Sequence, residues 1–160
     1  MVKTGIGFDA HRLVEDRKLI LGGVKIDYER GLLGHSDADV VCHAIADALL
    51  GAAGLGDIGM MFPDTNAANK DISSLKILSA IRTQIEARFY YIINIDISII
   101  AEEPKIGPYI ERMKKAISES LSISTDAINL KGKTTETLGF TGRKEGIAAL
   151  AVATIEQHEL

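Results

Sequence analysis

The sequence predicts an α+β fold, an α/β sandwich in which a mixed sheet of four to five strands carries helices packed on one face. Three observations support that reading. Strand-like and helix-like stretches are mixed along the chain and do not fall into separate blocks. Ile93, Ile95, Ile97 and Ile99 interleave with Asn94, Asp96 and Ser98, the period-two pattern of a half-buried strand. Finally, 160 residues, 46% hydrophobic and 25% charged, fit one domain spanning 1–160 and exclude a disordered chain.

Residues 3–11 read as the first strand, and Lys18–Ile26 as a hairpin-like pair around Gly22 and Gly23. Ser36 or Asp37 is placed to cap a helix running to Ala53 through an Ala- and Leu-rich stretch that Gly54 and Gly56 end. The Gly56–Asn69 segment is rich in Gly, Pro, Asp and Asn, and long enough for a functional loop. A second helix is expected from Ser73 to about Phe89, with Leu75, Leu78, Ile81 and Ile85 on its buried face. After the alternating strand, Ile106–Leu121 reads as a third helix with Pro108 at a tolerated early position. Ile128–Thr134 and Gly146–Gln157 complete the sheet.

The apolar residues are of an unusual kind. There are 22 isoleucines but only 5% aromatics and no Trp, and mean hydropathy is +0.13. No charge-free run approaches the ~18 apolar residues of a membrane span. The N-terminal residues do not form a charged segment followed by an apolar one, so no secretory signal is expected. Cys42, the single cysteine, forms no internal disulfide and no Cys-based zinc cage. A net charge of −4 gives no electrostatic case for nucleic acid. The expectation is a cytoplasmic single-domain protein with more apolar surface than a monomer needs.

Three of the four histidines, His11, His35 and His43, fall among Asp9, Asp37 and Asp39. Two residues apart on a strand, Asp9 and His11 share a face, with Cα atoms about 6.5–7 Å apart. His43, on the following helix, could join them. Two histidines and a carboxylate with an open fourth position form a catalytic zinc pattern. A surface Asp beside a hydrogen-bonded His explains the motif equally well on spacing alone. Asp47, one turn beyond His43, is placed either to orient that imidazole or to sit on a solvated helix face. His158 reads as a solvated tail residue.

Three further clusters are weaker. Gly56-Asp57-Ile58-Gly59 with Phe62-Pro63-Asp64 would let a ligand approach the backbone closely, or simply turn the chain. Lys131-Gly132-Lys133-Thr134-Thr135-Glu136 and Gly139-Phe140-Thr141-Gly142-Arg143 offer phosphate partners and, in Glu136, a carboxylate for Mg²⁺. They lack the P-loop order, and spacing alone favours a polar turn between two strands. Ala101–Gly107 leaves the alternating strand and carries no chemical signature of its own.

In order, GIGFDAHR, GLLGHSDADVVCHAIADALLGAAGLGDIG, FPDT, AEEPKI and KTTETLGFTGR span nearly the whole chain. Together they resemble the 2-C-methyl-D-erythritol 2,4-cyclodiphosphate synthase family of the non-mevalonate isoprenoid pathway. The resemblance implies a CMP-forming phosphorus–oxygen lyase acting on 4-diphosphocytidyl-2-C-methyl-D-erythritol 2-phosphate. The 2-phosphate attacks the β-phosphorus, and CMP leaves as the cyclic diphosphate closes. It implies Asp9, His11 and His43 as zinc ligands and Glu136 as the ligand of Mg²⁺ or Mn²⁺. His35 and Thr134 match positions of transition-state stabilisation, and Ser36 matches a phosphate contact. Asp57, Ile58 and Gly59 match the erythritol site, and Phe62, Pro63, Asp64, Thr65 and Asn66 the loop covering it. Ala101, Pro104, Lys105, Ile106 and Gly107 match the cytidine pocket, with Lys133 and Thr135 beside the diphosphate; Phe140 and Arg143 complete the set.

The resemblance further implies a homotrimer around a threefold axis with active sites between subunits. A central apolar cavity would hold an isoprenoid diphosphate, with Arg143 near Glu145 at its phosphate end. Sheet faces packed between subunits, the Ile93–Ile99 strand foremost, would then account for the apolar surplus. A zinc-dependent phosphodiesterase and a non-catalytic isoprenoid-diphosphate-binding trimer are the competing readings.

Overall fold

Strand β1 (Val2–Val14) runs 13 residues, beyond the 3–11 that the sequence marks. Its partner extends it: β7 (Gly146–Gln157) pairs antiparallel from Val2–Glu156 to Arg12–Gly146. A short strand not foreseen from sequence, β4 (Gly31–Leu32), pairs with Leu13 and Val14. In the computed structural model, which describes residues 1–158, β5 (Tyr90–Ile100) lies antiparallel on the far side of β7, and β6 (Ile128–Lys133) is parallel to β5. The result is a mixed five-stranded sheet in the order β4-β1-β7-β5-β6. The hairpin of β2 (Leu19–Leu21) and β3 (Val24–Ile26) forms a separate small sheet. Its two-residue turn needs positive φ at both positions, and Gly22 and Gly23 supply 55° and 75°.

Helix α1 (Val40–Ala53) packs on β1 and β7, with 11 of its 14 residues buried, which makes it the central helix of the layer. Its cap is Asp39, not Ser36 or Asp37: the Asp39 side chain accepts from Cys42 N and also from Gly22 N and Gly23 N, so one carboxylate starts the helix and holds the hairpin turn. Gly54, left-handed at φ 70°, ends the helix as expected. Helix α3 (Ser74–Glu86) buries Ile77, Leu78, Ile81 and Ile85, while Leu75 is only half-buried. It stops short of Phe89, which takes a φ of 62°. Pro108 sits in a 3-10 turn over Gly107–Tyr109, and α4 (Ile110–Leu121) follows. The two remaining helices are single turns inside the loops: α2 (Ile58–Met61) and α5 (Gly139–Gly142).

Ile95, Ile97 and Ile99 face the helices and are fully buried. Ile93 departs from the pattern: the β5–β7 register shifts between Ile92 and Asn94, which leaves Ile93 38% exposed. Ile93 is thus the one isoleucine of the alternating set that reaches the surface. More apolar surface is open on the sheet face away from the helices, where Ile6 pairs with Val152 and Phe8 with Leu150, and where Ile6 and Phe8 are 67% and 58% exposed. His158 is exposed, but it is tied in: its N–H donates to Phe89 O and its ring lies 4.5 Å from that of Tyr91.

Candidate active site

The site begins with a close approach. On β1, Gly5 and Gly7 lack the β-carbons that would overlap the carbonyl oxygens of Ala48 and Ala44. Glycine on the strand and alanine on the helix let α1 lie against β1, and the first turn of α1 then delivers His43 to Asp9. Asp9 and His11 share the helix-facing side of β1 with Gly7 and Leu13.

Three donor atoms converge there. Asp9 Oδ2 is 2.9 Å from His11 Nε2 and 3.0 Å from His43 Nδ1, and the two imidazole nitrogens are 3.3 Å apart. Metal–ligand bonds of about 2.0–2.1 Å at tetrahedral angles separate ligand atoms by about 3.3–3.4 Å. The His–His edge has that length, and the edges to Asp9 need to open by only a few tenths of an ångström. The donor set, two imidazoles and one carboxylate, suits a divalent metal, and the three residues form a metal-ligand cluster.

The outer contacts fix the rings. His11 Nδ1–H donates to Leu33 O at 2.8 Å, which points Nε2 at Asp9. Gly34 packs on that ring, where a β-carbon would sit 3.2 Å from Cε1. The His43 Nε2 side faces Ser74 Oγ at 2.9 Å and Ser36 Oγ at 3.1 Å. Asp47 is not the partner of His43: its Oδ1 accepts from Ile58 N at 2.8 Å and so holds the start of α2. Burial works against ionisation of Asp9, but hydrogen bonds and charge from His11 and His43 outweigh it and hold the carboxyl well below the usual carboxylate range. The bond to Asp9 raises the His11 imidazole above its ordinary value, against the effect of burial. Burial pushes the Asp47 carboxyl up.

Asp9, His11 and His43 line a cavity of about 300 Å³ that also collects His35, Ser36, Ile58, Gly59, Phe62 and Asp64. Asp64 Oδ1 reaches to 3.8 Å from His35 Nδ1, so the loop leans over the site. Asp57 is outside this lining and caps α2 by accepting from Met60 N. Pro63, Thr65 and Asn66 are exposed in the covering loop, where Asn66 caps a 3-10 turn.

A second cavity of about 410 Å³ gathers Ala101, Pro104, Lys105, Ile106 and Gly107 with Lys133 and Thr134. The parallel pairing of β5 and β6 explains it: both loops leave the carboxyl ends of neighbouring parallel strands, a usual ligand position in such sheets. The two cavities share no lining residue. Glu136, at φ 53°, has an exposed carboxylate that accepts from Thr134 Oγ1. Thr135 Oγ1 bonds Leu138 O and Thr141 Oγ1. Phe140 lines a small recess with His11, Arg12 and Glu145, and Arg143 makes two hydrogen bonds to Glu145.

Sequence reasoning missed Ser74 and the side-chain role of Asp37. They lie 37 positions apart in chain and meet only because α3 begins beside the loop before α1.

The YgbB family model matches residues 2–156. A 2-C-methyl-D-erythritol 2,4-cyclodiphosphate synthase from Listeria monocytogenes serotype 4b is 55% identical, over 98% of this chain and 100% of the relative. Among solved structures, the IspF of Plasmodium falciparum in complex with CDP superposes with a TM-score of 0.87 at 37% identity, covering 99% of this chain and 97% of that one. The bifunctional IspDF of Campylobacter jejuni gives a TM-score of 0.95 at 42% identity; this chain is matched over 99% of its length and accounts for 43% of that larger protein. A near full-length family match and a shared fold together place the chain in the YgbB family, that of the 2-C-methyl-D-erythritol 2,4-cyclodiphosphate synthases.

Proposed function

We propose that this chain converts 4-diphosphocytidyl-2-C-methyl-D-erythritol 2-phosphate to 2-C-methyl-D-erythritol 2,4-cyclodiphosphate and CMP. The observation that carries the reading is the meeting of Asp9, His11 and His43 at one cavity in a chain 55% identical to a synthase of that name. Asp9, His11 and His43 would hold zinc, which supplies Lewis-acid polarisation of a phosphate oxygen. Glu136 suits Mg²⁺ or Mn²⁺, which commonly binds through one carboxylate plus phosphate oxygens and water.

The residues then have distinct tasks. Asp57, Ile58 and Gly59 seat the erythritol, and Phe62–Asn66 cover it and exclude water. Ser36 and His35 hold the 2-phosphate against the β-phosphorus, which turns the attack into a positioned intramolecular step. A phosphate oxygen forms the new P–O bond as the bond to CMP breaks. The monoester is already ionised near neutral pH, so no base is required to make the nucleophile. Thr134 stabilises the charge that develops there, with Lys133 and Thr135 on the diphosphate. Ala101, Pro104, Lys105, Ile106 and Gly107 hold the cytidine, consistent with a relative having been solved with CDP.

The two cavities share no lining residue, and an apolar sheet face is left open. Both features support a homotrimer in which the metal site of one subunit and the nucleotide pocket of the next close on one substrate. An isoprenoid diphosphate then fits the apolar interior, with Arg143 and Glu145 at its phosphate end and Phe140 beside them. Among the described residues no helix is long and apolar enough to cross a membrane, and we place the enzyme in the cytoplasm.

Incubation with the cytidyl diphosphate substrate and Mg²⁺, read by phosphorus NMR, tests the reading. Cyclic diphosphate with one equivalent of CMP is the expected result. Linear phosphates mean a phosphodiesterase, and unchanged substrate means a binding protein; either overturns it. Farnesyl diphosphate binding should fall in Arg143→Ala, and unchanged binding removes the cavity assignment.

A further inference from the structure

We propose that Asp37 and Ser74 are positioning residues that set His43 in the tautomer able to bind metal. This rests on the reading of Asp9, His11 and His43 as the metal triad. His43 turns Nδ1 toward Asp9 Oδ2 and His11 Nε2, so Nδ1 must carry a bare lone pair for a metal to bind there. The proton then belongs on Nε2, and something must accept it.

Ser74 Oγ lies 2.9 Å from His43 Nε2, and Ser74 is fully buried. A hydroxyl can donate or accept, so Ser74 alone would not choose the tautomer. Asp37 removes the choice. Its Oδ1 is 2.5 Å from Ser74 Oγ, and an ionised carboxylate only accepts, so the one hydroxyl proton of Ser74 is committed to Asp37. Toward His43 Ser74 is left with lone pairs alone, which demands Nε2–H, so the proton given up when a metal binds is the one Nδ1 shares with Asp9.

Two contacts keep Asp37 in place. Its Oδ2 accepts from Ser74 N at 2.9 Å, capping α3, whose own N-cap Ser73 makes no side-chain bond. Its Oδ1 also accepts from Asp39 N at 3.2 Å. Ser36 Oγ is the other neighbour of Nε2 at 3.1 Å, but it also accepts from Ala38 N and lines the substrate cavity. Once Ser36 turns to a phosphate, Ser74 alone holds the ring.

A role confined to capping α3 and the relay proposed here predict different outcomes for Asp37→Asn. The amide can still accept from Ser74 N, so the cap survives. Its NH₂ now donates to Ser74 Oγ, whose hydroxyl proton turns toward His43 and favours the Nδ1–H tautomer, which cannot bind metal. The full chain, stripped with chelator, is titrated with zinc against a chromophoric chelator, with ¹⁵N shifts of the His43 ring read in parallel. We expect zinc affinity to fall by about 10–100-fold in Asp37→Asn. Ser74→Ala should lose about tenfold, at the low end because Ser36 remains. The ring should keep its Nε2 proton in the unaltered protein, before and after zinc is added, and lose it in Asp37→Asn. Zinc affinity within twofold of the unaltered protein in both folded variants overturns the relay while leaving the triad intact. Failure of the unaltered chain to bind zinc overturns the triad, and the relay with it.

Discussion

Gly7 of β1 faces the Ala44 carbonyl of α1 with no room for a β-carbon between them, and that contact is one residue from His43 and two from Asp9. The geometry of the candidate metal triad therefore depends on a glycine outside the triad. Gly7→Ala should push α1 off the sheet, costing about 1–3 kcal/mol by overpacking, and lower zinc affinity as His43 withdraws. Gly51 is the control, because a β-carbon there meets only Ile6 O at 3.9 Å. Gly51→Ala should stabilise α1 by about 0.5–1 kcal/mol. Thermal unfolding and zinc titration of both variants check this; equal stability of the two would refute the close-packing argument.

Proton and metal compete at the triad. Without metal, the raised His11 value means its contribution to stability is full below the unfolded value of about 6.5 and fades as pH climbs through the folded one. The depressed Asp9 value means its contribution is full above about 3.9 and is lost as pH falls toward the folded value. The metal-free protein thus gains most from the pair between about pH 4 and pH 6.5. Zinc must displace the His11 proton, so its binding strengthens as pH rises. The Tm gap between zinc-loaded and chelator-treated protein should widen from about pH 5.5 to about pH 8. A constant gap would show that no triad proton is displaced.

Much of this site was legible because its chemistry lies in local motifs. Asp9 and His11 share a face by strand period alone, and the helix carrying His43 is marked by composition. The cap was misplaced because Ser36, Asp37 and Asp39 are all good capping types, and only the distant hairpin amides select Asp39. Asp47 has the right helical spacing to reach His43, yet the Ile58 amide takes its carboxylate. Ile93 fits the alternation perfectly, yet in the pairing with β7 it is the extra residue between Ile92 and Asn94, which takes it out of the core. In each case the deciding partner is far away in sequence, so spacing could not select it.

Asp39 ties two elements together. Its fully buried carboxylate accepts from Gly22 N at 2.9 Å, Gly23 N at 2.6 Å and Cys42 N at 3.1 Å. Asp39→Ala leaves the buried amides of Gly22 and Cys42 and the part-buried amide of Gly23 without their acceptor and should cost about 3 kcal/mol. Asp39→Asn keeps one side-chain oxygen and should lose less. Urea unfolding measures both, and Ala and Asn variants of equal stability would contradict the hydrogen-bond assignment.

Ile6 and Phe8 point away from Asp9 and His11, because adjacent residues of β1 face opposite sides of the sheet. A charge on that outer face can therefore test assembly without touching the metal ligands. If three copies bury this face, each apolar side chain there contributes about 1.5–3 kcal/mol to association, and Phe8→Asp replaces that gain with a buried, unpaired carboxylate. Sedimentation velocity should show Phe8→Asp as monomers, and zinc titration should give an affinity near that of the unaltered chain. Turnover should nevertheless be lost, because the cavity at Ala101–Gly107 would no longer meet a neighbour's metal site. A Phe8→Asp variant that sediments as the parent does would mean that the apolar face is not the assembly surface.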